Sequence, residues 1–163
     1  MNQPTQSATA SRSDPKAVGE NLLKLISNLR SAADLTAERV ERETGWTMQP
    51  SDSGGYRTGA ALTPDWGYSL SLSTPSGSDT RQLRFEFNRK NADATATAVC
   101  DPDLERYAQA LQALGYQRSP IGAEHDRVLG WSFQRQDLWV RIYTRAESEE
   151  AFDHECVSLI TVE

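Results

Sequence analysis

The apolar residues of this chain change their spacing at Trp46, and that change limits the folds available. Before Trp46, Val18, Leu22, Leu25, Ile26 and Leu29 recur every three or four positions, which makes one face of a helix. After it, apolar and polar residues alternate. In "RQLRFEFN", Leu83, Phe85 and Phe87 point one way along a strand, and Arg84 and Glu86 point the other. A strand that is dry on one side and wet on the other suits an antiparallel sheet with a single covered face.

The helix signals say what covers that face. Asp14-Pro15 opens the first helix: Asp caps, and Pro takes the first helical position. A short second helix follows Thr36 and stops at Gly45. Asp101-Pro102 repeats the opening device. It leads into the stripe Leu104, Tyr107, Ala108, Leu111 and Leu114, with Gly115 as the stop. Strands are expected at "GWTMQP", "YRTGAALT", "WGYSLSLS" and "RQLRFEFN". Three more follow the last helix, at "RVLGWSFQ", "DLWVRIYT" and "CVSLITV". The expected fold is α+β: a single antiparallel sheet of about six to seven strands, with two main helices packed on one face. Residues 14–163 form one domain. Residues 1–13 hold no large apolar side chain after Met1 and read as a disordered polar tail or tether.

At 163 residues the chain is long enough to build a core without a metal or a disulfide. Its formal net charge of -6 opposes phosphate backbones, so nucleic acid is not the expected partner. The same charge suits a basic protein surface. No apolar run reaches the roughly 20 residues that span a bilayer. The N-terminus also lacks the apolar segment of a signal peptide. The chain therefore reads as cytoplasmic, or as exported and membrane-tethered if a signal segment precedes it.

Four residues at the start of the last strand invite a chemical reading: Asp153, His154, Glu155 and Cys156. The two histidines both sit between carboxylates, in Glu124-His125-Asp126 and Asp153-His154-Glu155. Imidazole with carboxylate suits zinc or a similar ion, which makes His125 and His154 candidate ligands. Spacing opposes this within either triplet, because successive side chains of an extended segment point to opposite sides. A site needs both loops to meet, and the preferred reading is two solvated loop ends and no cofactor. Catalysis by Cys156 with His154 lacks any visible orienting or oxyanion motif. Cys100 and Cys156 instead lie at element ends. There a disulfide breaks no ladder and stabilises by about 4 kcal/mol through loop closure. Two buried thiols are the alternative.

The remaining candidates point to recognition. On "DLWVRIYT", Trp139, Arg141 and Tyr143 share the face opposite Leu138, Val140 and Ile142, a composition common at binding hot spots. Glu147, Glu149 and Glu150 follow in an acidic loop that could attract a basic patch. These features lead to a non-enzymatic protein-binding domain. In style it resembles the small acidic immunity proteins that neutralise toxins. The polar leader and the cysteine pair also resemble the soluble domain of an exported bacterial lipoprotein or envelope protein. The helix-strands-helix-strands order is similar to secretion chaperones, from which this chain departs by ending on a strand. The oligomeric state is open.

Overall fold

The computed structural model describes residues 13–122 and 124–163. The tail expected over residues 1–13 therefore lies, save for Ser13, outside the described residues. Three α-helices form: α1 (Pro15–Ser27), α2 (Ala37–Thr44) and α3 (Leu104–Ala113). Eight strands make one antiparallel sheet. They are β1 (Gln49–Pro50), β2 (Tyr56–Ala61), β3 (Trp66–Ser73), β4 (Gln82–Arg89), β5 (Gln117–Gly122), β6 (Val128–Arg135), β7 (Leu138–Ala146) and β8 (Glu155–Val162). The spatial order is β1-β2-β3-β4-β8-β7-β6-β5, so the C-terminal strand lies in the middle.

The α+β fold with one antiparallel sheet is as expected, and the strand count is slightly higher. The added strand is β5, "QRSPIG". Its Pro120 argues against a central strand, since proline cannot donate to a ladder. At the edge of the sheet that donor is not needed, and Pro120 pairs opposite Trp131 there. The first strand shrinks to Gln49 and Pro50, facing Arg57 and Tyr56.

The helix openings follow the sequence with one correction. The Asp14 carboxylate accepts from the Ala17 amide at 3.2 Å, and Thr36 Oγ1 accepts from the Arg39 amide at 3.1 Å. Gly45 ends α2 in the left-handed region, at φ 77°. The cap of α3 is Asp103, not Asp101: its Oδ1 accepts from the Arg106 amide at 3.0 Å. Both aspartates are good caps. Pro102 is instead buried against α1, where a Cβ on Gly19 would fall 2.6 Å from its Cδ. The Tyr107 hydroxyl completes this contact by donating to the Gly19 carbonyl at 2.9 Å.

The core lies between the helices and one face of the sheet. Leu83, Phe85, Val140, Ile142, Ile160 and Val162 come from the three central strands and are fully buried. Each such side chain stabilises the fold by about 1.5–3 kcal/mol. Trp66 and Tyr68 also face this core, so they do not extend the outer surface. The opposite face carries Ser69, Ser71, Arg84, Glu86 and Asn88, which are exposed or half-buried.

Candidate functional site

The sheet splits beyond Glu86. Strand β4 pairs with β8 only from Leu83 to Glu86, so the end of β4 and the start of β8 are not paired with each other. Residues 91–103 lead from β4 to α3, and a short 3₁₀ turn at Thr97–Val99 ends at Cys100. There Cys100 meets Cys156 at the start of β8, and the two form a disulfide with Cα atoms 4.7 Å apart. The bridge ties the lead into α3 to the middle of the sheet.

His154 sits beside the bridge, gripped from two sides. Its Nε2 lies 2.8 Å from Asp103 Oδ2, and its Nδ1 lies 2.6 Å from Glu147 Oε1. Asp103 thus serves two elements, capping α3 with one oxygen and binding His154 with the other. Glu147 is held in turn: Thr97 Oγ1 donates to its Oε2 at 2.9 Å, and the Ala96 amide donates to its carbonyl at 2.8 Å. The Glu147 amide donates to the His154 carbonyl at 3.1 Å and closes the loop between β7 and β8. Cys100 Sγ is 3.8 Å from His154 Nδ1.

The charges follow from this geometry. Hydrogen bonds to Asp103 and then Glu147 raise the His154 pKa above its ordinary value, against a smaller effect of burial. The bonds from His154 and then Thr97 lower the Glu147 carboxyl. Burial alone would raise the Asp103 carboxyl, but its bonds from His154 and the Arg106 amide outweigh that and lower it. The arrangement is an imidazole held between two carboxylates, which favours its protonated form, and it is partly open to water.

The residues of "DHEC" therefore part company. Asp153 is exposed. His154 bonds to carboxylates far away in the chain rather than to its neighbours. Glu155 accepts from Trp131 Nε1 at 3.1 Å and from Thr144 Oγ1 at 3.0 Å. Cys156 is bridged. His125 lies in an exposed turn with φ 65°. Among the described residues, the one cluster of metal-ligating type outside purely acidic groups is Cys100, His154 and Cys156, and His125 is not in it. Asp103 is not among the site residues expected from the sequence. Its capping position before α3 was the one available signal, and nothing local marked it as a partner for His154.

The recognition candidates fall into two places. Trp139, Arg141 and Tyr143 lie half-buried on the open face of β7. Arg141 is engaged there: it forms an ion pair with Glu163 and lies 5.1 Å over the Trp139 ring. Glu147 is taken up by His154. Glu149 and Glu150 are exposed and line a groove of about 620 Å³ between the loop before β8 and residues 92–96. Asp93 lines it too, as does Arg89, whose guanidinium turns to the Ala94 carbonyl. Phe152 stands at this groove and is 75% exposed.

No described helix is long and apolar enough to cross a membrane. Comparison with known proteins yields no match to a family, a curated protein or a solved structure.

Proposed function

We propose that the chain is a non-enzymatic protein-binding domain whose partner is a basic protein, in the manner of a toxin-neutralising immunity protein. One observation carries the reading: Phe152, three-quarters exposed, stands beside Glu149, Glu150 and Asp93 at an open groove. A large exposed aromatic that shares a groove with carboxylates supplies both parts of a docking surface. The ring offers an anchor that can be desolvated, and the carboxylates steer a cationic partner. The net charge of -6 acts in the same direction at long range. The Trp139–Arg141–Tyr143 stripe is the second candidate contact. It ranks lower because Arg141 already spends its charge on Glu163.

The disulfide favours a second, compatible reading, the soluble domain of an exported envelope protein. Bridges persist in oxidising compartments and are rare in the cytosol.

A photo-crosslinking amino acid placed at position 152, and separately at 139, tests the docking surface in the source cells. The expected result is a discrete adduct with a basic protein from position 152, lost when Glu149→Lys and Glu150→Lys are introduced together. Adducts from position 139 alone, or adducts at 152 that survive the charge reversal, overturn the assignment.

A further inference from the structure

We propose that the Cys100–Cys156 bridge has an alternative state: once reduced, the two thiolates and His154 form a zinc site, with Glu147 as the fourth ligand. The donor atoms of Cys100, Cys156 and His154 lie within 4.8 Å of one another. Zinc bonds of about 2.3 Å to sulfur and about 2.0–2.1 Å to nitrogen put S and N about 3.5–3.6 Å apart across a tetrahedron. Cys100 Sγ stands 3.8 Å from Nδ1 and 4.0 Å from Nε2, over the ring, so a zinc ion on Nδ1 requires this sulfur to swing toward the Nδ1 lone pair once the bridge opens. Zinc bonds of that length also place two thiolate sulfurs about 3.8 Å apart. The zinc state requires the two cysteine side chains to rotate about their Cα–Cβ bonds to this separation. Glu147 Oε1 now faces the same Nδ1 at 2.6 Å, and it must retreat by under an ångström to leave room for an ion between them.

The surroundings complete the site. Zinc-bound histidines usually donate their second ring N–H to a carboxylate, which fixes the tautomer and the ring. Asp103 Oδ2 is already in that position, 2.8 Å from Nε2. Thr97 holds the other oxygen of Glu147, as a supporting partner of a ligand would. Cys156 is fully buried and Cys100 nearly so, while the His154 side chain is 41% exposed. The sulfur side is dry, and an ion enters past the imidazole.

The exchange balances. A dithiol reductant supplies two electrons and two protons to the S–S bond and leaves as its own cyclic disulfide. Zinc(II) then replaces the two thiol protons and the proton on Nδ1. The Nε2 proton stays on the ring and is donated to Asp103. In the reverse exchange a small-molecule disulfide takes the two electrons and leaves as two thiols, the Cys100–Cys156 bond re-forms and zinc(II) is released, so bridge and zinc exclude each other.

Cobalt(II), which takes zinc sites and is coloured in them, is the probe. The full chain is unfolded, reduced with excess dithiothreitol, freed of it under argon and refolded with cobalt. The expected product binds a single cobalt per chain, with thiolate charge-transfer absorption and the strong visible bands of a tetrahedral ion. Zinc abolishes these bands, and the oxidised chain never shows them. Asp103→Asn keeps a capping side chain and weakens binding by about 10- to 100-fold. His154→Ala weakens it by at least as much. Absence of the thiolate bands in the reduced chain overturns the proposal. Equal affinity in wild type and His154→Ala also overturns it, since the thiols alone would then hold the ion. Circular dichroism follows folding throughout, and a reduced chain that folds neither with metal nor without it overturns the proposal too.

Discussion

Two triplets of the same composition end in opposite situations. Glu124-His125-Asp126 lies in an exposed turn, with His125 at φ 65° and Asp126 at φ 59°. Asp153-His154-Glu155 lies where β8 begins, beside a disulfide and under the start of α3. His154 takes its partners from 51 positions earlier, at Asp103, and 7 earlier, at Glu147. What separates the two histidines is therefore the fold around them. The Cys100–Cys156 bridge brings the lead into α3 within reach of one triplet, while the other stays exposed.

Removing the bridge is the strongest way to break this contrast. Replacing Cys100 and Cys156 together with Ala opens a loop with a sequence separation of 56 residues. The expected loss is about 4 kcal/mol in unfolding free energy, read from denaturant midpoints. His154 should also lose its two partners in part, so its ring protons in the NMR spectrum should shift while those of His125 stay in place. Movement of both histidines alike, or of neither, would remove the bridge as the cause of the difference.

Asp103 separates capping from charge. Asp103→Ala removes the cap of α3 and the acceptor for Nε2, and about 1–2 kcal/mol should be lost. Asp103→Asn still caps, so it should recover at least half of that loss. Equal loss in the two variants would mean that the charge facing His154, and not the cap, is what Asp103 contributes.

The split between what was legible and what was not follows the range of the interactions. The cores of the helices and seven of the strands were readable, because period and capping residues are local. Strand β5 was not, since Pro120 reads as a breaker until its place at the sheet edge is known. The shift of the α3 cap from Asp101 to Asp103 depended on Pro102 packing at Gly19, a contact between distant helices. The disulfide was legible as one of two options from the positions of Cys100 and Cys156. The grip on His154 was not legible at all. The carboxylates adjacent to it in sequence are the ones it does not use.

The pH dependence of stability sharpens the comparison further. The His154 pKa is raised in the folded state, so its pairing stabilises fully below its unfolded value of about 6.5 and is lost as pH rises through the folded value. Asp103 and Glu147 are lowered, so their share is present above their unfolded values near about 4 and is lost as pH falls through the folded ones. The two contributions overlap between about pH 4.5 and pH 6.5. Denaturant midpoints of wild type and His154→Gln should differ most in that window and converge at higher pH. A constant difference across pH would mean that the imidazole contributes packing and not charge.

The smallest effect belongs to the other triplet. His125 occupies the left-handed region in an exposed turn, where Asn is tolerated nearly as well. His125→Asn should therefore change stability by no more than about 0.5 kcal/mol, as exposed positions without buried partners do. His154→Asn should lose more than that near pH 6, because Asn cannot reach both Asp103 and Glu147. If the two substitutions had equal effects, the bond of His154 to two carboxylates would be a contact without consequence. The likeness of the triplets in sequence would then extend to their energetics.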